Sequence, residues 1–203
     1  IAKSGRKILF VATKKQAKEI ISSKVEEINM PSITERWPGG MLTNFKTTRK
    51  TVKKMSSIDK MMKDGTADTM SKRERLQLTR QREKIGKVFG SISDMNRLPA
   101  AIFIVDVKKE HIALAEARNL NIPVFAMVDT NSNPNDIDFV IPSNDDATKS
   151  IDLIISNLCD AIKEGLGERK QNKDKVAQEK AAKEAKAAES AESAEKTTEE
   201  VKS

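Results

Sequence analysis

Few residues of this chain are spaced for catalysis, and many are spaced for holding a polyanion. Asp106 and Asp129 each follow a short apolar run, the position where α/β folds bind ligands. Thr13-Lys14-Lys15 follows the first such run. A dinucleotide enzyme would place glycines there, and the chain has neither a Gly-x-Gly-x-x-Gly turn nor a Gly-Lys-Ser/Thr loop. His111 is the sole histidine and Cys159 the sole cysteine. They are too far apart in sequence to suggest a metal cluster, and Cys159 sits in an apolar helical pattern that predicts a buried, inert thiol. Asp145 and Asp146 read as favourable charges at a helix N-terminus. No catalytic residue, metal or cofactor is expected.

The residues that invite a chemical reading are cations. No acidic residue stands between Glu35 and Asp59, while Lys46, Arg49, Lys50, Lys53 and Lys54 fall in that interval. A solvated helix ordinarily mixes signs through i,i+4 pairs, so this run predicts phosphate contact. Arg73, Arg75, Arg80, Arg82 and Lys84 form a second basic series. Lys14 and Lys15, with Lys18, crowd a helix start where cations oppose the dipole. A bound phosphate would offset that cost, and a solvated basic face is the alternative. Just before the first series stands Arg36-Trp37-Pro38-Gly39-Gly40-Met41-Leu42-Thr43-Asn44-Phe45. Its two glycines permit positive φ and close backbone approach. Trp37, the only tryptophan, reads either as a core anchor or as a platform for a base or sugar beside Arg36.

The elements that must carry these residues follow from periodicity. Phe45, Val52, Met55, Ile58 and Met62 make a narrow near-heptad seam. A helix of about 19 residues, roughly 28 Å long, is predicted to end at Asp64-Gly65. Ser71-Lys72-Arg73-Glu74 has the form of a capping box and opens a second helix with seam residues Leu78, Ile85, Val88, Phe89 and Ile92. The two predict an antiparallel helical hairpin. Around it, buried strands are expected at Lys7–Thr13, Pro99–Asp106 and Ile122–Val128, with shorter ones at Ser32–Thr34 and Phe139–Ile141. Helices are expected over Lys14–Ile28, over Glu110–Leu120 with Ile112, Ala113, Ala115, Glu116 and Ala117 in register, and from Asn144-Asp145-Asp146 to a stop at Gly165 and Gly167. This is a mostly parallel α/β pattern. A discontinuous α/β domain (1–44 and 93–167) would carry a coiled-coil hairpin (45–92). A Lys/Ala/Glu/Ser/Thr-rich tail (168–203) has no apolar face and reads as disordered.

The charge is divided along the chain. Residues 1–99 hold 23 Lys/Arg against 10 Asp/Glu, and residues 100–167 hold 5 against 11. Such asymmetry points to a polyanion on one side. Nucleic acid fits better than a membrane, because the basic segments lack an aromatic lipid-facing stripe. No run reaches the ~18 apolar residues of a membrane helix and no signal-peptide pattern is present, so a cytoplasmic protein is expected. The chain does not begin with Met and starts close to a strand, which leads us to expect a missing N-terminal part.

The stretch Arg36–Phe45 resembles the Arg-Trp-x-Gly-Gly-x-Leu-Thr-Asn-Phe signature of the bacterial small-subunit ribosomal protein family two. Other segments are similar to the same family and in the same order: Gly5–Val11 with Thr13–Ala17, Pro99–Glu116, Val128–Asn131 with Pro134, and Ile141-Pro142 with Asn144–Asp146. The resemblance spans about Gly5 to Gly165. It implies a flavodoxin-like three-layer α/β/α fold with an inserted coiled-coil hairpin and a non-enzymatic role on the ribosome. It further implies binding of small-subunit ribosomal RNA at the head/body junction, beside neighbouring small-subunit proteins that include the messenger-binding first protein. The family's usual N-terminal strand, helix and His-x-Gly-His-type stretch have no counterpart here, and Pro38 stands where Leu is commoner. With the charge pattern, the expected RNA-binding set is Lys14, Lys15, Arg36, Trp37, Asn44, the five cations from Lys46 to Lys54, and Arg73, Arg75, Arg80, Arg82 and Lys84.

Two rival readings have clear discriminators. A nucleotide-binding α/β enzyme would need the glycine-rich phosphate loop that is missing. A coiled-coil module for protein capture would tolerate reversal of Lys50, Lys53 and Lys54, which an RNA arm would not.

Overall fold

The computed structural model describes residues 1–65 and 69–172. Five strands form one sheet: β1 (Ile8–Val11), β2 (Ser32–Ile33), β3 (Ala101–Val105), β4 (Val124–Val128) and β5 (Phe139–Pro142). Their spatial order is β2-β1-β3-β4-β5, and every neighbouring pair is parallel. This order is the flavodoxin-like one, with its switch point between β1 and β3. Every residue of β1 and β3 is buried, because a parallel sheet is covered on both faces.

Alternation along each strand divides the core in two. Leu9, Val11, Ile102, Ile104, Val124 and Ala126 point to one side, where they meet α4 (His111–Asn119) and the Trp37-Met41-Leu42 turn. Phe10, Ala101, Phe103, Val105 and Met127 point to the other, against α1 (Lys15–Glu27) and Ile151, Ile155, Cys159 and Ile162 of α5 (148–172). Phe10 and Phe103 meet with ring centroids 5.6 Å apart. The result is the expected three-layer α/β/α arrangement. Only β5, at the edge, is largely exposed, with Phe139 stacked on Phe125.

Between β2 and β3 the chain leaves the sheet as α2 (Phe45–Lys63) and α3 (Lys72–Phe89). Helix α2 has the 19 residues expected from its seam. It stops at Asp64, followed by Gly65 at φ 72°. Helix α3 opens with the capping box read from sequence: Ser71 Oγ accepts from the Glu74 N–H, and the Glu74 carboxylate accepts from the Ser71 N–H. Arg82 Nε donates to Asp59 Oδ1 at 2.9 Å, and Gly86 faces Met55. Asp59 follows Met55 by one turn where Arg82 precedes Gly86 by one turn, so the helices run antiparallel. The contact is thin. Thr48, Met55 and Ile58 are buried in α2, and no residue of α3 is.

Three expectations need correction. Ile112 and Ala115 are exposed, and Leu114 takes their place in the core beside Ala113, Glu116 and Ala117. The inward stripe of α4 is therefore shifted by about one residue. Gly165 and Gly167 do not stop α5, which is helical from 148 through 172 within the described residues. Glycine weakens a helix by only about 1 kcal/mol, and Gly165 has a packing reason. A Cβ there would stand 3.0 Å from the Cβ of Ala2, which crosses the helix at that point. Residues 168–172 of the expected tail thus continue the helix, and 173–203 lie outside the described residues. The start of the helix is as read, with Asn144 Oδ1 accepting from the Asp146 and Ala147 N–H groups.

Phe103→Ala should cost about 3–5 kcal/mol, read as a drop in the urea midpoint without a change of slope, because the ring is 1% exposed and packs against Phe10 between the sheet and the α1/α5 layer.

Candidate nucleic-acid interface

The Arg36–Phe45 turn is held by one buried carboxylate. Glu116 of α4 is 6% exposed. Its Oε1 accepts from Trp37 Nε1 at 3.1 Å and the Gly40 N–H at 2.7 Å. Its Oε2 accepts from the Leu42 N–H at 2.8 Å, the Thr43 N–H at 3.1 Å and Thr43 Oγ1 at 3.3 Å. Burial alone would raise the Glu116 carboxyl. The hydrogen bonds from Trp37, Leu42, Thr43 and Gly40 outweigh it and hold the group below its ordinary range. Gly40 takes φ 80°, which lets successive N–H groups converge on the carboxylate. Trp37 is 6% exposed. The anchor reading of this residue holds, and the base-platform reading does not: its ring faces the core and its indole N–H is taken. Arg36 and Asn44 remain exposed. Asn44 precedes α2 without a side-chain cap bond, while its carbonyl accepts from the Thr47 and Thr48 N–H groups.

This turn fixes where α2 leaves the sheet. At about 100° per residue, Lys46, Lys50, Lys53 and Lys54 fall on one stripe, opposite Thr48, Met55 and Ile58, and all four lysines are exposed. Arg49 flanks the stripe, is half-buried, and donates through Nη1 to the Asn96 carbonyl at 2.7 Å. It therefore ties α2 to the segment after α3. In α3 the same arithmetic separates two sets. Arg73, Arg80 and Lys84, with Lys87, share one exposed face. Arg75 and Arg82 lie with Gly86 on the α2 side, and Arg82 pairs with Asp59.

The cations after β1 behave differently from expectation. Lys14 Nζ lies 2.8 Å from Asp145 Oδ1, 2.6 Å from Asp146 Oδ1 and 3.6 Å from Asp106 Oδ2. Burial would lower the Lys14 ammonium. The hydrogen bonds to Asp145 and Asp146 and the charges of Asp145 and Asp106 overcome it and raise the group well above the lysine range. The crowding at this helix start is thus offset by three carboxylates of the same chain, toward which the Lys14 ammonium is turned, its side chain 13% exposed. Lys18 pairs with Glu35, and Lys15 stays exposed. Sequence reading gave Glu116 no role beyond the helix register and Asp145 none beyond the helix end. The one available signal was an acidic residue on an otherwise apolar stripe. His111 is exposed at the start of α4, and Cys159 is buried with its thiol raised by that burial.

Glu116→Gln should cost about 1–3 kcal/mol at neutral pH, because an amide turns a donor toward N–H groups that need an acceptor. The folded carboxyl ionises more readily than the unfolded one. Its contribution is therefore complete above the ordinary glutamate range and is lost as pH falls through the lowered folded value. Denaturant titrations from pH 7 to 3 should show the parent approaching the variant at the acid end.

The family model described as Ribosomal protein S2 matches residues 1–165. Proteins named small ribosomal subunit protein uS2 are similar along most of the chain. That of Parabacteroides distasonis is 62% identical over 184 residues, covering 90% of this chain and 66% of the relative. That of Flavobacterium johnsoniae is 66% identical over 181 residues, covering 89% and 71%. That of Christiangramia forsetii is 64% identical over 182 residues, covering 90% and 61%. The chain thus spans roughly two thirds of the length of these relatives. With the signature turn, the strand order and this similarity in agreement, the chain belongs to the ribosomal protein S2 family.

Proposed function

We propose that this chain is a structural, non-enzymatic constituent of the small ribosomal subunit in the cytoplasm, and that it grips folded ribosomal RNA at the head/body junction through the basic faces of α2 and α3. The observation that carries the reading is the one-sided stripe Lys46, Lys50, Lys53 and Lys54, opposite a buried face and beyond a turn locked by Glu116. A fixed turn gives the cations a fixed bearing, so they are positioned before RNA arrives and less ordering entropy is lost on binding. The names of the uS2 relatives support the subunit.

Within the set read from sequence, Lys15, Arg36, Asn44, the four α2 lysines, Arg73, Arg80 and Lys84 are the direct phosphate ligands in this proposal. Arg49, Arg75 and Arg82 serve the packing of the hairpin, and Lys14 and Trp37 the support beneath it. Phosphate contacts supply affinity and position without reading sequence, and folded RNA is recognised largely by shape. The 45–92 segment acts as a coiled-coil arm on the α/β unit. Neighbouring small-subunit proteins, the messenger-binding first protein among them, complete the surroundings.

Reversing Lys50, Lys53 and Lys54 to Glu should abolish co-sedimentation with small subunits while leaving the melting temperature near that of the parent. With about six phosphates neutralised, log K should fall with log salt at a slope of about −4 to −5. A flat salt response, or a reversed variant that still sediments with subunits, rejects the proposal.

A further inference from the structure

We propose that Asp129, Asp145 and Asp146 form a binding site for one hard divalent cation, of the magnesium or calcium class, at the carboxyl edge of the sheet. The three residues come from two places that only the fold joins: Asp129 directly after β4, and Asp145 and Asp146 between β5 and α5. One carboxylate oxygen from each lies within 4.8 Å of the others. The donors are all oxygen, which selects hard cations over the thiolate- and imidazole-seeking metals.

An independent feature of Asp145 points the same way. The residue is 0% exposed, and its Oδ2 accepts no hydrogen bond among the described residues. A buried carboxylate oxygen without a partner is costly, and a coordinated cation removes that cost. The local charge count agrees. Asp106, Asp145 and Asp146 set three carboxylates around the ammonium of Lys14, and Asp129 adds a fourth beside Asp145 and Asp146. Lys14 engages Oδ1 of both Asp145 and Asp146, which leaves their second oxygens for a metal. Asp129 forms no ion pair among the described residues, and its Oδ1, which accepts from the Thr130 N–H at 2.7 Å, keeps further lone pairs. A bound ion would fasten the end of β4 to the start of α5 beside the Lys14 cluster. This inference does not rest on the RNA-binding reading.

The test uses the 203-residue chain, stripped with chelator and titrated by calorimetry with Mg2+ and, separately, Ca2+ at constant ionic strength without RNA. One ion per chain should bind, and saturation should raise the melting temperature. Asp129→Asn should weaken binding by about tenfold or more while its metal-free melting temperature matches the parent, because Asp129 lies outside the Lys14 pairs. Asp145→Asn also strands Lys14 and is read only if it folds, so the Asp129 variant decides. No saturable heat up to about 10 mM of either ion, the weak end of protein calcium sites, overturns the site. So does an Asp129→Asn chain that binds like the parent.

Discussion

One buried carboxylate sets the geometry of the functional face. Glu116 gathers three backbone N–H groups, an indole N–H and a hydroxyl onto its two oxygens. Each of those donors belongs to the turn between β2 and α2, and the buried Trp37 indole and Leu42 N–H would be orphans if the carboxylate were removed. The turn cannot be fixed by apolar packing alone, because its glycines offer no side chain and its N–H groups need an acceptor. An ionised acceptor satisfies them more strongly than a neutral one would. Helix α4 therefore dictates, across the sheet's face, the direction in which α2 departs.

That dependence explains how so thin an arm can be oriented. Helix α3 buries no residue, and α2 buries three. Such helices gain little from burial, and charges spread along one face repel each other. The arm is ordered from its base: Phe45 and Phe89 pack against the core, Met41 accepts from Thr48, and Arg49 reaches the Asn96 carbonyl. The Arg82–Asp59 pair and the Met55–Gly86 contact tie its middle. A polyanion lying along the lysine stripe would relieve the repulsion, which is the physical content of the proposed RNA role.

The switch point itself, at the carboxyl ends of β1 and β3, holds a second charged network with a different logic. Lys14 follows β1, Asp106 follows β3 at φ 65°, and Asp145 precedes α5. Parallel strands deliver all of their carboxyl ends to one edge, so residues distant in sequence meet there by topology. In a dinucleotide-binding enzyme that edge would carry a glycine-rich loop. Here an ammonium among carboxylates fills the space beside it.

Local physics made much of this protein legible from sequence. The apolar runs at Ile8–Val11 and Ala101–Val105 read as covered strands, being short and bounded by polar stops. The 19-residue α2, the Asp64-Gly65 stop and the Ser71–Glu74 capping box depend on neighbours within a few residues. The Arg36–Phe45 signature already pointed to the family. What only the tertiary structure decided was which charged groups spend themselves on each other. Glu116 meets its donors across more than seventy residues, and Lys14 meets Asp145 across 131. Neither pairing leaves a periodic trace, so Trp37 and Lys14 read as open to a ligand when they are closed by partners. The course of α5 through Gly165 was hidden for the same reason, since the contact that accounts for that glycine is made by Ala2 at the far end of the chain.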